Sequence, residues 1–430
     1  MSKVKIALLG MGNVGCGVLK VLSMNKKQIT QRSGYEIEVG KVLVKNKDKD
    51  RNIEIDKEII TTNFDDILND EDVKIIVELM GGIDPAREYI IKSMKKGKHI
   101  VTANKMLIAT YGEELFEEAK KNKVMFYYEA SVSGGIPIIE GLSESLTANK
   151  IERIIGIING TTNYILSKMS TEELEYDKVL RESKKMGFTE SDPKLDVSGY
   201  DAAYKLAILS RLAFETKVDI NSIYREGIES IKQIDIDYAK EFGYIIKLLA
   251  VAKEEVEGVL ELRVHPAMIP INHPLANVNG CYNGIFIRGN AVGDLIFYGH
   301  ATGEMPTSSA VVSDIITILR RKLDFCKQYG IKMDTKKVKP IEDTQCGYYI
   351  RITVEDIPGV LARIATVFGK NKVSLLSVIQ KPRRKGERFV SLVFFTHNTL
   401  DSSLKQALNK IKNLRNVNMI ESIIRLETFK

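Results

Sequence analysis

Asp201 and Lys205 stand four residues apart in the stretch DPKLDVSGYDAAYKLAIL, residues 192–209. On a helix that spacing puts both side chains on one face. Leu206, Ile208 and Leu209 continue with an apolar helical pattern, so a charged pair borders a face that packs inward. As an exposed pair it would stabilise the helix by only about 0.2–0.5 kcal/mol. Beside a hydride-transfer site the same residues gain a use. Reduction of a carbonyl needs a proton at its oxygen, and a lysine whose pKa is lowered by burial can supply one. The preceding loop, MGFTESDPKLD, is rich in carboxylates, including Glu190, Asp192 and Asp196. Glu190 and Asp201 could hold an amino-acid ammonium or a catalytic lysine. Upstream, Asn159-Gly160-Thr161-Thr162-Asn163 lies between an expected strand and an expected helix. Thr and Asn there can cap the helix, and the same groups could hold a polar substrate.

A second constellation opens the chain. Val4 to Leu9 form an apolar run, and Gly10-Met11-Gly12-Asn13-Val14-Gly15 then matches G-x-G-x-x-G. Val14, Val18, Leu19 and Leu22 follow at helical spacing. This order is what a dinucleotide site needs: Gly10 for the tight turn, Gly12 for close approach of a pyrophosphate, Gly15 for helix-on-strand packing. The helix N-terminus attracts the anion. The alternative is a purely structural glycine turn. The next strand, IEVGKVLVK, carries Lys45 at its end, where an NAD site usually has Asp or Glu. A basic residue there suits a 2′-phosphate and points to NADP, with NAD as the alternative; Lys45 could also be an ordinary surface lysine. Glu78–Gly82 and Thr102–Lys105 fall at the carboxyl ends of further strands, where open α/β sheets bind their ligands.

The elements that must position these residues alternate as β and α over the first third, with a helix over 85–96. That implies an α/β fold: a Rossmann dinucleotide-binding domain over 1–130. Glu129 is expected to end a strand. Residues 131–304 mix strands (KIERIIGIING, GVLELRVHPAMI, GIFIRGNAVGDLIFYG) with long helices over 172–186 and 201–214. This is the order of an α+β substrate, catalytic and dimerisation domain. A helix over 305–322 should return to the nucleotide domain. A polar, Lys-rich linker spans 325–345. From Tyr348 the order is strand, Asp-x-Pro-Gly turn, helix, strand, strand, helix over 400–413, strand, a ferredoxin-like unit over 346–430.

The 430 residues carry 63 basic and 56 acidic side chains, spread along the chain and not clustered as a nucleic-acid footprint would be. The mild excess still favours an anionic small molecule. The four cysteines (Cys16, Cys281, Cys326 and Cys346) form no CxxC or zinc pattern, which fits a reducing cytoplasmic setting. Met1-Ser2-Lys3 leads straight into the first strand, so no signal peptide is expected, and no apolar run reaches the roughly 18–20 residues of a membrane helix. Neither nucleic acid nor membrane is an expected partner.

Six blocks resemble homoserine dehydrogenases across essentially the whole chain. They are GMGNVG, TANK (102–105), EASVSGGIP (129–137), NGTTNYI, GFTESDPKLDVSGYDAAYKLAIL and GEMPTSSAVVSDI (303–315). Asp356-Ile357-Pro358-Gly359-Val360-Leu361 resembles the turn of ACT domains. The resemblance implies NAD(P)H-dependent interconversion of L-aspartate 4-semialdehyde and L-homoserine in threonine, methionine and isoleucine biosynthesis. It makes Lys205 the proton donor and acceptor at the substrate oxygen, with Lys105 assisting near the nicotinamide. Glu190 and Asp201 would bind the substrate, with Asp196 and Thr161 beside them. Gly187 and Gly303 match cofactor-contacting glycines. A monovalent cation, sodium, would be held by the Glu129 side chain and the carbonyls of Val132, Gly134 and Ile136. The family usually has Tyr where this chain has Phe188, so a hydroxyl near the substrate is missing. ACT domains pair through their sheets and bind amino acids, so a homodimer or homotetramer with L-threonine as effector is expected; the alternative is a purely structural dimerisation unit. Removing 347–430 should then leave basal activity and abolish inhibition.

Two other functions fit parts of the pattern. A semialdehyde-oxidising, phosphorylating dehydrogenase needs a cysteine nucleophile beside the nicotinamide. Cys16 is the one cysteine among these motifs, and it sits on the pyrophosphate helix. A non-catalytic amino-acid sensor could use the dinucleotide fold and the ACT unit, but it would have no use for Lys105 and Lys205.

Overall fold

Ile6, Ala7, Leu8 and Leu9 are all fully buried, so the first strand is covered on both faces. That is the environment of a central strand in a parallel sheet. The computed structural model describes residues 2–51, 53–185, 193–323, 335–381 and 388–429. Its first sheet joins β1 (Ser2–Leu9), β2 (Tyr35–Leu43), β3 (Ile60–Thr61), β4 (Val73–Glu78), β5 (His99–Thr102) and β6 (Phe126–Tyr127). Their order is β3-β2-β1-β4-β5-β6, with the described pairs parallel. This is the doubly wound dinucleotide-binding arrangement, whose strand order reverses between β1 and β4.

The chain divides into two compact units. The first comprises Met1–Glu152, Tyr204–Ile220 and Cys281–Lys336. Here the helix Asn13–Met24 buries Val18 and Val21 against the sheet. The helix Glu304–Arg320 adds Val311, Ile315, Ile318 and Leu319 to the same core. The two helices touch closely: Ser308 Oγ donates to Val14 O at 2.9 Å, and Lys20 pairs with Glu304 at 2.6 Å. A hairpin of Tyr282–Gly289 and Gly293–His300 completes this unit.

The second unit comprises Arg153–Ala203, Asn221–Gly280 and Lys337–Lys430. Its strands Tyr244–Val256 and Val259–Pro270 form a long antiparallel pair, and Tyr244–Val256 also pairs with Ile151–Ile157. The C-terminal strands Gln345–Glu355, Leu375–Gln380, Phe389–Thr396 and Val417–Leu426 carry the helices Val360–Lys370 and Asp401–Lys412. Val417–Leu426 lies beside Gln345–Glu355, then come Phe389–Thr396 and Leu375–Gln380. Tyr348, Ile350 and Ile352 pack there against Ile364, Phe368, Leu404 and Ile411. This is the expected ferredoxin-like ACT unit.

Local expectations shift in four places. The helix expected over 172–186 begins later, at Tyr176, and runs to Lys185; Glu172 instead ends the preceding helix Gly160–Glu172. Glu173 ends that helix by turning left-handed, φ 55°. Glu129 does not end a strand; β6 stops at Tyr127, and Glu129 opens a short 3-10 turn to Ser131. Tyr244–Val256 was not foreseen as a strand, because Lys247 and Lys253 interrupt its apolar run, yet both are buried. Finally, the ACT sheet continues into its neighbour. Val417–Leu426 runs parallel to Val259–Pro270, with Ala267 opposite Arg425 and Met268 opposite Leu426.

Candidate active site

The glycine-rich turn leaves β1 with Gly10 N–H donating to Leu43 O at 3.0 Å. Gly10 has φ 106°, and a Cβ there would sit 2.8 Å from Leu79 O, so no other residue fits. A Cβ on Gly15 would strike Gly10 O at 2.5 Å, so the helix can close onto the turn only through glycine. Gly12, at the helix N-cap, has no atom within 4 Å of where a Cβ would be. Gly12 and Asn13 are exposed, Val14 is half-buried and Met11 is buried in the core. The open side of the turn is thus also the amide-bearing start of a helix, the arrangement that accepts a pyrophosphate. Lys45 is exposed two residues past the end of β2.

At the ends of β4 and β5 the two expected segments are joined through one side chain, Glu78. Glu78 is fully buried, and its carboxylate accepts from Thr102 Oγ at 2.6 Å, Met80 N at 2.7 Å and Gly81 N at 3.2 Å. Burial pushes its pKa up; the hydrogen bonds from Thr102 and the two amides oppose the shift. Thr102 Oγ in turn accepts from Asn104 N at 3.0 Å. Asn104 caps the helix Lys105–Lys121 through Leu107 N at 3.1 Å and donates to Gly82 O at 2.6 Å. Lys105 is the first, half-buried residue of that helix. Gly303 is the exposed N-cap of Glu304–Arg320.

In the second unit the acidic residues of the quoted stretch come together around Asn159. Its side-chain NH2 donates to Asp196 Oδ1 at 2.7 Å and to Asp201 Oδ2 at 2.9 Å. Its Oδ1 caps the helix Gly160–Glu172 by accepting from Thr162 N at 2.8 Å. Thr161, next to it, is half-buried, as is Asp196, whereas Asp201 is buried. Sequence reasoning named Asn159 as a cap; its reach to residues 37 and 42 positions away has no local signature. Lys205, which belongs to the first unit, lies on the helix Tyr200–Phe214 and is only 5 % exposed. Gly187, Phe188 and Glu190 lie outside the described residues.

The expected cation ligands belong to the first unit. Glu129 is buried and its carboxylate accepts from Ile139 N at 2.9 Å and Glu140 N at 2.7 Å. Burial pushes its pKa up to about 7, against those amide bonds. Val132, Gly134 and Ile136 are buried, and the turn between them is left-handed at Ser133 and Gly134 (φ 54° and 39°). A buried carboxylate beside a turn of carbonyl oxygens is a donor set that fits a hard monovalent cation, which would favour the ionised form. Asp314 is the unforeseen neighbour: its Oδ2 accepts from Glu129 N at 2.9 Å, and burial raises its pKa well above the usual carboxylate range.

Among the described residues no helix is long and apolar enough to cross a membrane. Comparison with known proteins matches residues 10–129 to the NAD binding domain of homoserine dehydrogenase, 137–316 to homoserine dehydrogenase and 348–416 to the ACT domain. The homoserine dehydrogenase of Synechocystis is 42 % identical, over 98 % of this chain and 99 % of its own. That of Bacillus subtilis is 36 % identical, over 99 % of each. The crystal structure of a homoserine dehydrogenase from Thiobacillus denitrificans superposes with a TM-score of 0.92 at 40 % identity, covering 99 % of both chains. A hyperthermophilic archaeal homoserine dehydrogenase in complex with NADPH covers 75 % of this chain and 100 % of its own, with a TM-score of 0.63 at 27 % identity. The chain therefore belongs to the homoserine dehydrogenase family, an oxidoreductase with a nicotinamide-dinucleotide-binding Rossmann domain, an α/β catalytic domain and a C-terminal ACT domain.

Proposed function

We propose that the protein reduces L-aspartate 4-semialdehyde to L-homoserine, reversibly, in threonine, methionine and isoleucine biosynthesis. The observation that carries this is that Lys205 is enclosed, 5 % exposed, on the same helix as the buried Asp201 four residues before it. In the reduction its ammonium hands a proton to the oxygen at C4; in the oxidation its amine takes that proton back. The nicotinamide, when bound, supplies or accepts the hydride at that carbon. Lys105 assists in the active site, near the nicotinamide. Asp196, Asp201 and Thr161, together with Glu190, hold the substrate's amino end. Gly10 to Gly15 cradle the pyrophosphate; Thr102, Lys105, Gly187 and Gly303 contact the rest of the cofactor.

The cofactor is NADP in this proposal. Support comes from the exposed Lys45 where an NAD site would carry an acid, and from the archaeal relative's complex with NADPH. Sodium would be held by Glu129 and the carbonyls of Val132, Gly134 and Ile136, orienting the segment that follows β6. Functionally, 1–130 with the helix over 305–322 forms the nucleotide domain, 131–304 the catalytic and dimerisation domain, and 346–430, after a linker over 325–345, the regulatory domain. L-Threonine is the proposed effector and the protein a cytoplasmic homodimer or homotetramer. The decisive assay follows absorbance at 340 nm after adding aspartate semialdehyde to enzyme and NADPH, then NADH, with and without threonine. Cofactor binding without decay of absorbance would favour the sensor; insensitivity to threonine would remove the effector.

A further inference from the structure

Asn159 has a role that capping does not exhaust. All of its side-chain hydrogen-bonding capacity on the nitrogen is used on two carboxylates that lie far apart in sequence, Asp196 and Asp201. Its orientation is set by its other end. Oδ1 accepts from Thr162 N at 2.8 Å and from Thr162 Oγ at 2.9 Å, so a flipped amide would point donors at a backbone N–H. The helix start is itself anchored one turn on. Asn163 Nδ2 donates to Val278 O at 3.1 Å, and the buried Lys247 donates to Asn163 Oδ1 at 3.0 Å. On the acidic side, Ile228 N donates to Val197 O at 2.9 Å and pins the backbone beside Asp196.

We propose that Asn159 is a positioning residue of the substrate's ammonium subsite, an amide that bridges the carboxylates of Asp196 and Asp201 and so presents them together to the cation. The inference rests on the assignment of those two acids to the substrate. Two carboxylates repel each other unless donors hold them, and the rigidly oriented NH2 of Asn159 donates to both. Asn159 does not meet the reacting atoms; it acts through the acids. Its loss therefore weakens binding of the amino-acid substrate and leaves the hydride and proton transfers intact.

The test uses the full-length enzyme and compares Asn159→Ser with Asn159→Asp. Ser keeps an N-cap acceptor for Thr162 N but loses the NH2. Asp keeps the cap and replaces the NH2 with a third carboxylate. Steady-state kinetics with L-homoserine and NADP+, NADPH affinity by fluorescence and thermal unfolding are read together. For Asn159→Ser we expect KM for homoserine to rise about tenfold or more while kcat stays within about threefold, with NADPH affinity and Tm held. Asn159→Asp should be at least as impaired in KM. An unchanged KM in either variant overturns the inference, as does a loss of kcat, KM and Tm together in Asn159→Ser, which is the signature of a cap alone. If Asn159→Ser does not fold, Asn159→Asp carries the test by the same KM criterion, and its failure to fold as well would mark Asn159 as structural and end the inference. A wild-type enzyme that turns over no homoserine would refute the substrate assignment itself, a result distinct from normal turnover with indifferent variants.

Discussion

Thr102 gives its hydroxyl hydrogen to Glu78 at 2.6 Å across two neighbouring parallel strands, whose register places these two residues side by side. The same carboxylate gathers the amides of Met80 and Gly81. One buried acid thus fixes both strand ends that face the expected nicotinamide position.

Glu78→Ala would leave the Thr102 hydroxyl and two amides without their acceptor. Each such loss costs about 1–3 kcal/mol. We expect a clear fall in Tm together with weaker NADPH binding, measured by fluorescence titration. Glu78→Gln keeps one acceptor oxygen and should be much milder on both counts. Equal NADPH affinity in Glu78→Ala and wild type would show that this strand-end network does not shape the cofactor site.

Lys205→Ala should lower kcat by about 10²–10⁴-fold, the range that a positioned proton donor contributes. NADPH affinity should stay nearly intact. Parallel loss of turnover and cofactor binding would count against a role in proton transfer.

Lys45→Ala removes an exposed cation from beyond β2. We expect KM for NADPH to rise by about five- to tenfold, on the scale of one charge-assisted phosphate contact, and KM for NADH to move little. Competition assays with the two cofactors read the ratio directly, and an unaltered preference removes the 2′-phosphate argument.

What could be foreseen from sequence was local. The glycine turn, its strand and its helix are contiguous, so spacing alone announces them. The helical face of Asp201 and Lys205 follows from a four-residue interval. The roles of Glu78 and Asn159, both placed near the site by sequence, and the burial of Lys247 were not legible, because they come from partners far along the chain. A lysine in a strand ordinarily marks a solvated face. Lys247 is enclosed because Asn163, Val278 and Asn279 bring three oxygens to it, at 2.6–3.0 Å. Strand pairing between Val259–Pro270 and Val417–Leu426 is equally silent in sequence, since about 150 residues separate them and neither strand's period names its neighbour.

Burial lowers the pKa of Lys247 to about 7. Below that pH the ammonium is charged in both folded and unfolded chains, and the full cost of enclosing it is present. Between about 7 and the ordinary value of 10.5 the unfolded chain holds the proton that the folded one has shed. Stability at this site therefore rises with pH across that window, by an amount on the order of 5 kcal/mol at most. The neutral amine has only two hydrogens for three oxygens, which trims the gain. We expect Tm of wild type relative to Lys247→Met to climb between pH 7 and 10; calorimetry showing parallel curves would place the amine's titration outside that window.

The ACT unit is tied into its neighbour by charge as well as by strand pairing, and this changes what truncation should do. Glu427 is buried between Lys253 at 2.5 Å and Arg263 at 2.7 Å. Burial alone would raise its pKa, but the two cations outweigh it and hold the carboxyl below the usual range. Removing one member of a buried charge group typically costs about 3–5 kcal/mol. Deleting 347–430 takes Glu427 away, leaves Lys253 enclosed without that acid, and strips the edge of Val259–Pro270. Sequence alone made the C-terminal unit a detachable tail whose loss spares basal activity. The structure argues instead that the truncated chain will unfold at lower temperature and lose activity with it. Glu427→Gln, which keeps the strand but removes the charge, should show part of the same loss in Tm. A truncated enzyme with wild-type Tm and turnover would mean that these buried ion pairs contribute nothing net to the fold.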